Sequence, residues 1–235
     1  MLRDLNEEIN EVIIKSTGGL VDPSSIIIHM KDFTTSRDEL SRIIKNKRPT
    51  ISSNEIISIK REILHGIVER LTRFKRNEVF AVASIVTRDL DIKFRYALKF
   101  VLERALMNIE NDLLLPIFDT PGHEFSAGEI RDAYFRLVKE GIVYDNDKVP
   151  TYPDVRSKLF EEIMISSGGD KIHRGLQIAD MIAWILNRTE PSREDPCKIE
   201  KRKKDELFDI EKLCRTILNG LFIIRNNKVL TIKIY

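Results

Sequence analysis

The segment 166–188, SSGGDKIHRGLQIADMIAWILNR, gathers polar side chains on an apolar, helix-forming background. On a helix, His173, Gln177, Asp180, Trp184 and Asn187 fall in one stripe, each three or four residues from the next. Leu176, Ile178, Ala179, Met181, Ile182, Ala183, Ile185 and Leu186 fill much of the remaining surface. A carboxylate on so apolar a helix is costly to bury unless it is paired or metal-bound. The only glutamine and the only tryptophan of the chain, Gln177 and Trp184, both lie in this stripe. Periodicity alone favours a plainer arrangement, a solvent-facing stripe on a core helix.

Two further segments carry candidate chemistry. Asp119 ends the apolar run LLLPIF and is followed by TPGHE, with His123 and Glu124 close behind. The C-terminal edge of a strand is where open α/β sheets bind ligands. Asp followed by Thr-Pro-Gly is equally a common loop former. His29 closes the apolar run SIIIH and would serve as a base, a ligand or a capping side chain. His65 lies inside an amphipathic helix and reads as structural. No G-x-S-x-G elbow, P-loop or G-x-G-x-x-G occurs, so nucleophilic triads and those nucleotide folds lack their fingerprints.

The elements that must position these residues follow from periodicity. Helices are predicted over 1–15, 31–47, 55–74, 92–109, 126–139, 174–188 and 206–218. Strands are expected at 24–30, 79–86, 113–118 and 159–165, with Pro116 at an edge or bulge because it cannot donate to a ladder. The closing LFIIRNNKVLTIKIY reads as a hairpin around Asn226-Asn227. Strands interleaved with helices predict an α/β or mixed α+β sheet domain.

Composition bounds the function. The chain has 235 residues, 42% hydrophobic and 32% charged, an ordinary globular balance. Net charge is only +2, so any basic surface is local. Two local patches exist. One is the 60–76 helix face with Lys60, Arg61, Arg70, Arg73, Lys75 and Arg76. The other is Lys198-Ile-Glu-Lys-Arg-Lys-Lys204. Both would suit nucleic-acid phosphates, although such runs are usually solvated surface. No run approaches 18 apolar residues, which argues against a membrane span. Cys197 and Cys214 show neither CxxC nor Cys/His spacing, pointing to a reducing, cytoplasmic setting without structural zinc. Abundant Ile, Lys and Glu with few Gln and Cys would suit a thermophile, and AT-rich coding would also enrich Ile and Lys.

GLQIADMIAWILNR, SIIIHMKDF and LLLPIFDT together resemble the family called domain of unknown function 3800, loosely from Met1 to about Arg188. The Gln-x-Ala-Asp helix is the most specific part of the resemblance. It implies a ribonuclease H-like fold: a mixed sheet flanked by helices over 1–190, with a basic linker, helix and hairpin over 191–235. It further implies a metal-dependent nuclease or phosphoryl-transfer protein. Asp119 and Asp180 would hold Mg²⁺ or Mn²⁺, with His29 and Gln177 lining the site. The family's opening Asp-Glu-Ser-Gly strand has no counterpart here. The fold is therefore expected to be N-terminally shortened, with an exposed sheet edge open to oligomerisation. The alternative expectation is a degenerate, non-enzymatic module that binds nucleic acid or a protein. A remnant of an interrupted gene is the third.

Overall fold

The computed structural model describes residues 2–35, 38–74, 81, 83–85, 98, 100–102, 104–106, 115–119, 127–140, 163–166, 174–189, 195–199, 202–222, 224–225, 228–229 and 232–234. The chain divides into two compact units, Met1–Phe80 with Gly168–Ile223, and Ala81–Ser167 with Ile224–Tyr235.

The first unit is a helical assembly. It contains α1 (Leu2–Ser16), a 3-10 turn (Pro23–Ser25), α2 (Met30–Phe33), α3 (Glu39–Lys47) and α4 (Ser53–Leu71). The second unit contributes α5 (Ala127–Glu140) before the chain returns to the first with α6 (Arg174–Leu186), α7 (Lys203–Phe208) and α8 (Ile210–Leu221). Helix α4 is central and packs against α1, α7 and α8, while α6 packs against α2 and α8. Its start is fixed by a reciprocal capping box: the Glu55 N–H donates to Ser52 Oγ (3.2 Å) and the Ser52 N–H to Glu55 Oε2 (2.9 Å). Ile56, Ile63, Leu64, Ile67, Val68 and Leu71 then line its buried face. Gly66 sits where α1 packs on α4; a Cβ there would lie 2.7 Å from Val12 Cγ1, so any side chain at this position would have to displace Val12.

The predicted polar face of α4 is corrected at Lys60, which is buried. Its ammonium donates to an Asp38 carboxylate oxygen and to the Thr35 carbonyl, and lies 5.5 Å from the centre of the Phe33 ring. Asp38 also caps α3, accepting from the Ser41 N–H (2.9 Å) and hydroxyl (2.6 Å). Burial lowers the Lys60 pKa, partly offset by Asp38.

The expected helix 206–218 is two helices. Asp209 takes a left-handed conformation (φ 51°, ψ 48°) that ends α7 and opens α8, a backbone state Asp tolerates better than most residues. Cys197 and Cys214, both fully buried, form a disulfide that ties the segment before α7 to α8. Disulfides persist in oxidising compartments and in intracellular proteins of hyperthermophiles. The two cysteines therefore do not argue for a reducing compartment.

Strands among the described residues lie in the second unit and are short. β1 (Ala83–Ile85) runs parallel to β6 (Ile232–Ile234), and β2 (Ile117–Asp119) parallel to β3 (Met164–Ser166). β4 (Ile224–Arg225) and β5 (Lys228–Val229) form the expected hairpin across Asn226-Asn227, but the final strand β6 pairs with β1 instead of extending it. Strand β2 begins one residue after Pro116, whose carbonyl accepts from the Met164 N–H (3.1 Å). The opposed residues Ile117 and Met164 are both exposed.

The expected ribonuclease H-like mixed sheet is thus overturned. The described chain is mostly helical, and its strands form only two-stranded ladders. The decisive element is 24–30, predicted as a strand. It is a 3-10 turn followed by extended chain that enters α2, and among the described residues no strand pairs with it. Its backbone groups are bonded by side chains of α6.

Candidate functional site

Helix α6 presents Arg174, Gln177 and Asp180 at three-residue spacing, so they follow one another along one face. Opposite them runs the extended segment Ile26–His29. In extended chain, alternate residues direct their N–H and C=O groups to the same side. Those of Ile26, Ile28 and Met30 meet the α6 side chains. Gln177 Oε1 accepts from the Ile28 N–H (3.1 Å) and Asp180 Oδ2 from the Met30 N–H (2.9 Å). Arg174 donates to the carbonyls of Ile26 (3.3 Å) and Pro23 (2.6 Å), to Gln177 Oε1 (2.7 Å) and to Asn10 Oδ1 (3.4 Å). The helix thereby does for this segment what a neighbouring strand would do, and Ile26, Ile28 and Met30 bury their side chains.

This arrangement accounts for a polar stripe on an apolar helix. Gln177 is buried and Asp180 half-buried. Trp184 stacks edge-on against Phe208 (6.2 Å between ring centres), with the Arg188 guanidinium 4.6 Å above its ring. Asn187 is exposed, and His173 lies outside the described residues.

His29 joins the same locality through the chain. It is the residue before α2, and its carbonyl accepts from the Asp32 and Phe33 N–H groups at 3.0 and 2.8 Å. Its Nδ1 lies 3.4 Å from Asp32 Oδ2. The structure therefore brings His29, Gln177 and Asp180 together in the first unit. Asp119 closes β2 in the second unit, its backbone opposite Ser166, and its side chain lies outside the described residues.

Within the first unit, the described donors do not by themselves make up a site for the implied Mg²⁺ or Mn²⁺. One oxygen of Asp180 is engaged by a backbone N–H, and Gln177 Oε1 already accepts twice. Among the described residues no three His, Cys, Asp or Glu side chains form a group able to hold a metal.

Sequence reasoning missed Arg174. Its signal was available: a cation in the first turn of a helix opposes the helix dipole and must be held by other partners. Burial lowers its pKa.

The basic patches fare differently. In the first, Lys60 is buried, Arg61 donates to the Leu207 carbonyl (2.6 Å), and Arg70 pairs with Glu8 and Glu11. Arg73 is exposed, and Lys75 and Arg76 lie outside the described residues. In the second, Lys198, Arg202 and Lys204 are exposed. The residues flanking this segment are held on both sides, and Lys204 itself lies in the first turn of α7. The disulfide holds Cys197, and buried Asp205 lies 3.4 Å from Arg188 Nη1. Asp195 braces the near end, accepting from the Cys197 N–H (3.0 Å) and from Arg215 (3.1 Å).

Among the described residues no helix is long and apolar enough to cross a membrane. No family model, curated protein or solved structure matches this chain.

Proposed function

We propose that this chain is a non-enzymatic module that binds the phosphate backbone of nucleic acid through the basic segment Lys198–Lys204, whose last two residues open α7. The observation that carries this reading is that the Cys197–Cys214 disulfide and the Asp205–Arg188 pair hold the residues flanking that segment, while Lys198, Arg202 and Lys204 are exposed. A basic segment fixed at both ends loses less chain entropy on binding than a free tail. The stripe once expected to be catalytic is occupied with holding backbone, which favours binding over turnover. An intracellular, hyperthermophilic setting reconciles the disulfide with the expected cytoplasmic location.

The test is binding to a duplex and to a single strand across a salt series. Neutralising Lys198, Arg202 and Lys204 together should flatten the plot of log affinity against log salt by about 0.9 per charge on duplex DNA. An unchanged slope would overturn the proposal. Mg²⁺- or Mn²⁺-dependent cleavage by the native chain, lost in a folded Asp180→Asn variant, would restore the nuclease reading instead.

A further inference from the structure

The segment 198–204 carries its positive charge without an aromatic residue of its own. The fold brings one to it. Trp184 of α6 meets Phe208 of α7 edge-on, and the Arg188 guanidinium lies 4.6 Å from the centre of the Trp184 ring. The same guanidinium lies 3.4 Å from a carboxylate oxygen of Asp205, the residue after Lys204. Lys204 and Phe208 stand four residues apart on α7, so they share one side of that helix, about 6 Å apart along its axis. Phe208 is buried and Lys204 exposed, which puts the lysine at the rim of the contact that Trp184 makes. The acids nearby are accounted for. Glu206 is two residues from both Lys204 and Phe208 and so falls on another side of α7. Asp209 lies 3.7 Å from His65 of α4.

Trp184 and Arg188 are both only half-buried, so the stack of indole and guanidinium reaches the surface beside Lys204. Exposed cations next to an aromatic stack are the two parts of a single-strand site: the charges follow the phosphates and the stack takes a base. Guanidinium planes accept stacked bases as aromatic rings do. A base inside a duplex has both faces covered by its neighbours, whereas an unpaired base is free to stack elsewhere. We propose that the nucleic acid held by the 198–204 segment is single-stranded, with one unpaired base extending the Trp184–Arg188 stack. This rests on the phosphate-binding reading of that segment and adds to it a base and a strand form. Asp205 partly neutralises Arg188, so Arg188 serves the stack while Lys198, Arg202 and Lys204 hold phosphates.

Trp184 is the only tryptophan, so indole fluorescence reports this site alone. Three labelled probes of equal length are titrated into the full chain: an oligothymidylate, an abasic single strand and a duplex. Affinity is read by anisotropy of the label, and Trp184 by its own emission. The oligothymidylate should bind more tightly than the abasic strand and should alone quench the indole. Alanine substitutions at stacking aromatics set the scale, so Trp184→Leu should weaken oligothymidylate binding by about 5–150-fold. Its affinity for the abasic strand and its salt slope should stay native, because no phosphate contact is lost. The native-protein comparison stands by itself should Trp184→Leu fail to fold. Equal affinity for the oligothymidylate and the abasic strand would overturn the inference and leave the phosphate reading intact. Saturating oligothymidylate without quenching, or native affinity in a folded Trp184→Leu variant, would do the same. Binding to none of the three probes would overturn both.

Discussion

Replacing Asp180 by leucine separates a structural carboxylate from a catalytic one by the sign of its effect. Leucine keeps roughly the shape of the side chain and removes the acceptor for the Met30 N–H, which lies 2.9 Å from Asp180 Oδ2. Hydrogen bonds to charged groups contribute about 1.5–3 kcal/mol. Asp180 is half-buried and water would partly replace it, so about 1–2 kcal/mol is expected. That corresponds to roughly 5–30-fold faster exchange of the Met30 amide, if exchange proceeds through local opening of the 26–30 segment. Asp180→Asn keeps a carbonyl oxygen in place and loses only the charge assistance, so its effect should be about half as large. The assay is native-state hydrogen exchange read at the Met30 and Ile28 amides, with the amides of α4 as an internal reference. Carboxylates held together for a metal repel each other when it is absent, and their removal usually stabilises the fold. An Asp180→Leu variant with native exchange at Met30 and equal or greater thermal stability would refute the structural assignment.

Three other perturbations address the same unit. Lys60→Met leaves the Asp38 carboxylate buried. Since Ser41 still donates to it twice, the loss should sit near the lower end of about 3–5 kcal/mol. Adding Asp38→Asn should recover most of this in denaturant midpoints, and strictly additive losses would show that the two groups are not a pair. Replacing both Cys197 and Cys214 by serine opens a loop spanning 17 residues and should lower stability by about 3 kcal/mol; unchanged unfolding would mean that the loop is held by its other contacts. His65 has its pKa lowered by burial first and by Lys212 next, with Asp209 opposing. The unfolded chain therefore binds the proton more readily. Stability should fall as pH drops below 6.5 towards the lowered folded value, and His65→Gln should flatten that limb. An identical acid slope in the variant would assign it to other groups.

Local pattern was enough for much of the helical framework. The apolar repeats of α1, α4 and α6 are strong, and Ser52 with Glu55 marks a helix start that any solvent-exposed chain would adopt. The β4–β5 hairpin was equally legible. Gln177 and Asp180 were legible as unusual polar residues on an apolar helix, and His29 as the end of an apolar run.

Their purpose was not legible, because a run such as Ser24–Met30 has the same local appearance whether its hydrogen bonds go to a strand or to side chains. Periodicity records which faces are buried and carries nothing about which partner lies 150 residues away. The Met30 N–H meets Asp180 across that sequence distance. The same limit applies to Lys60, whose burial depends on Asp38 arriving from another helix, and to the two cysteines, whose pairing needs the 195–199 segment to fold back onto α8. Local pattern marks where helices begin, which faces are apolar and which rare polar residues stand out against them. That these residues bond backbone and bury a cation follows from the packed fold, because those energies exist only once distant groups leave water together.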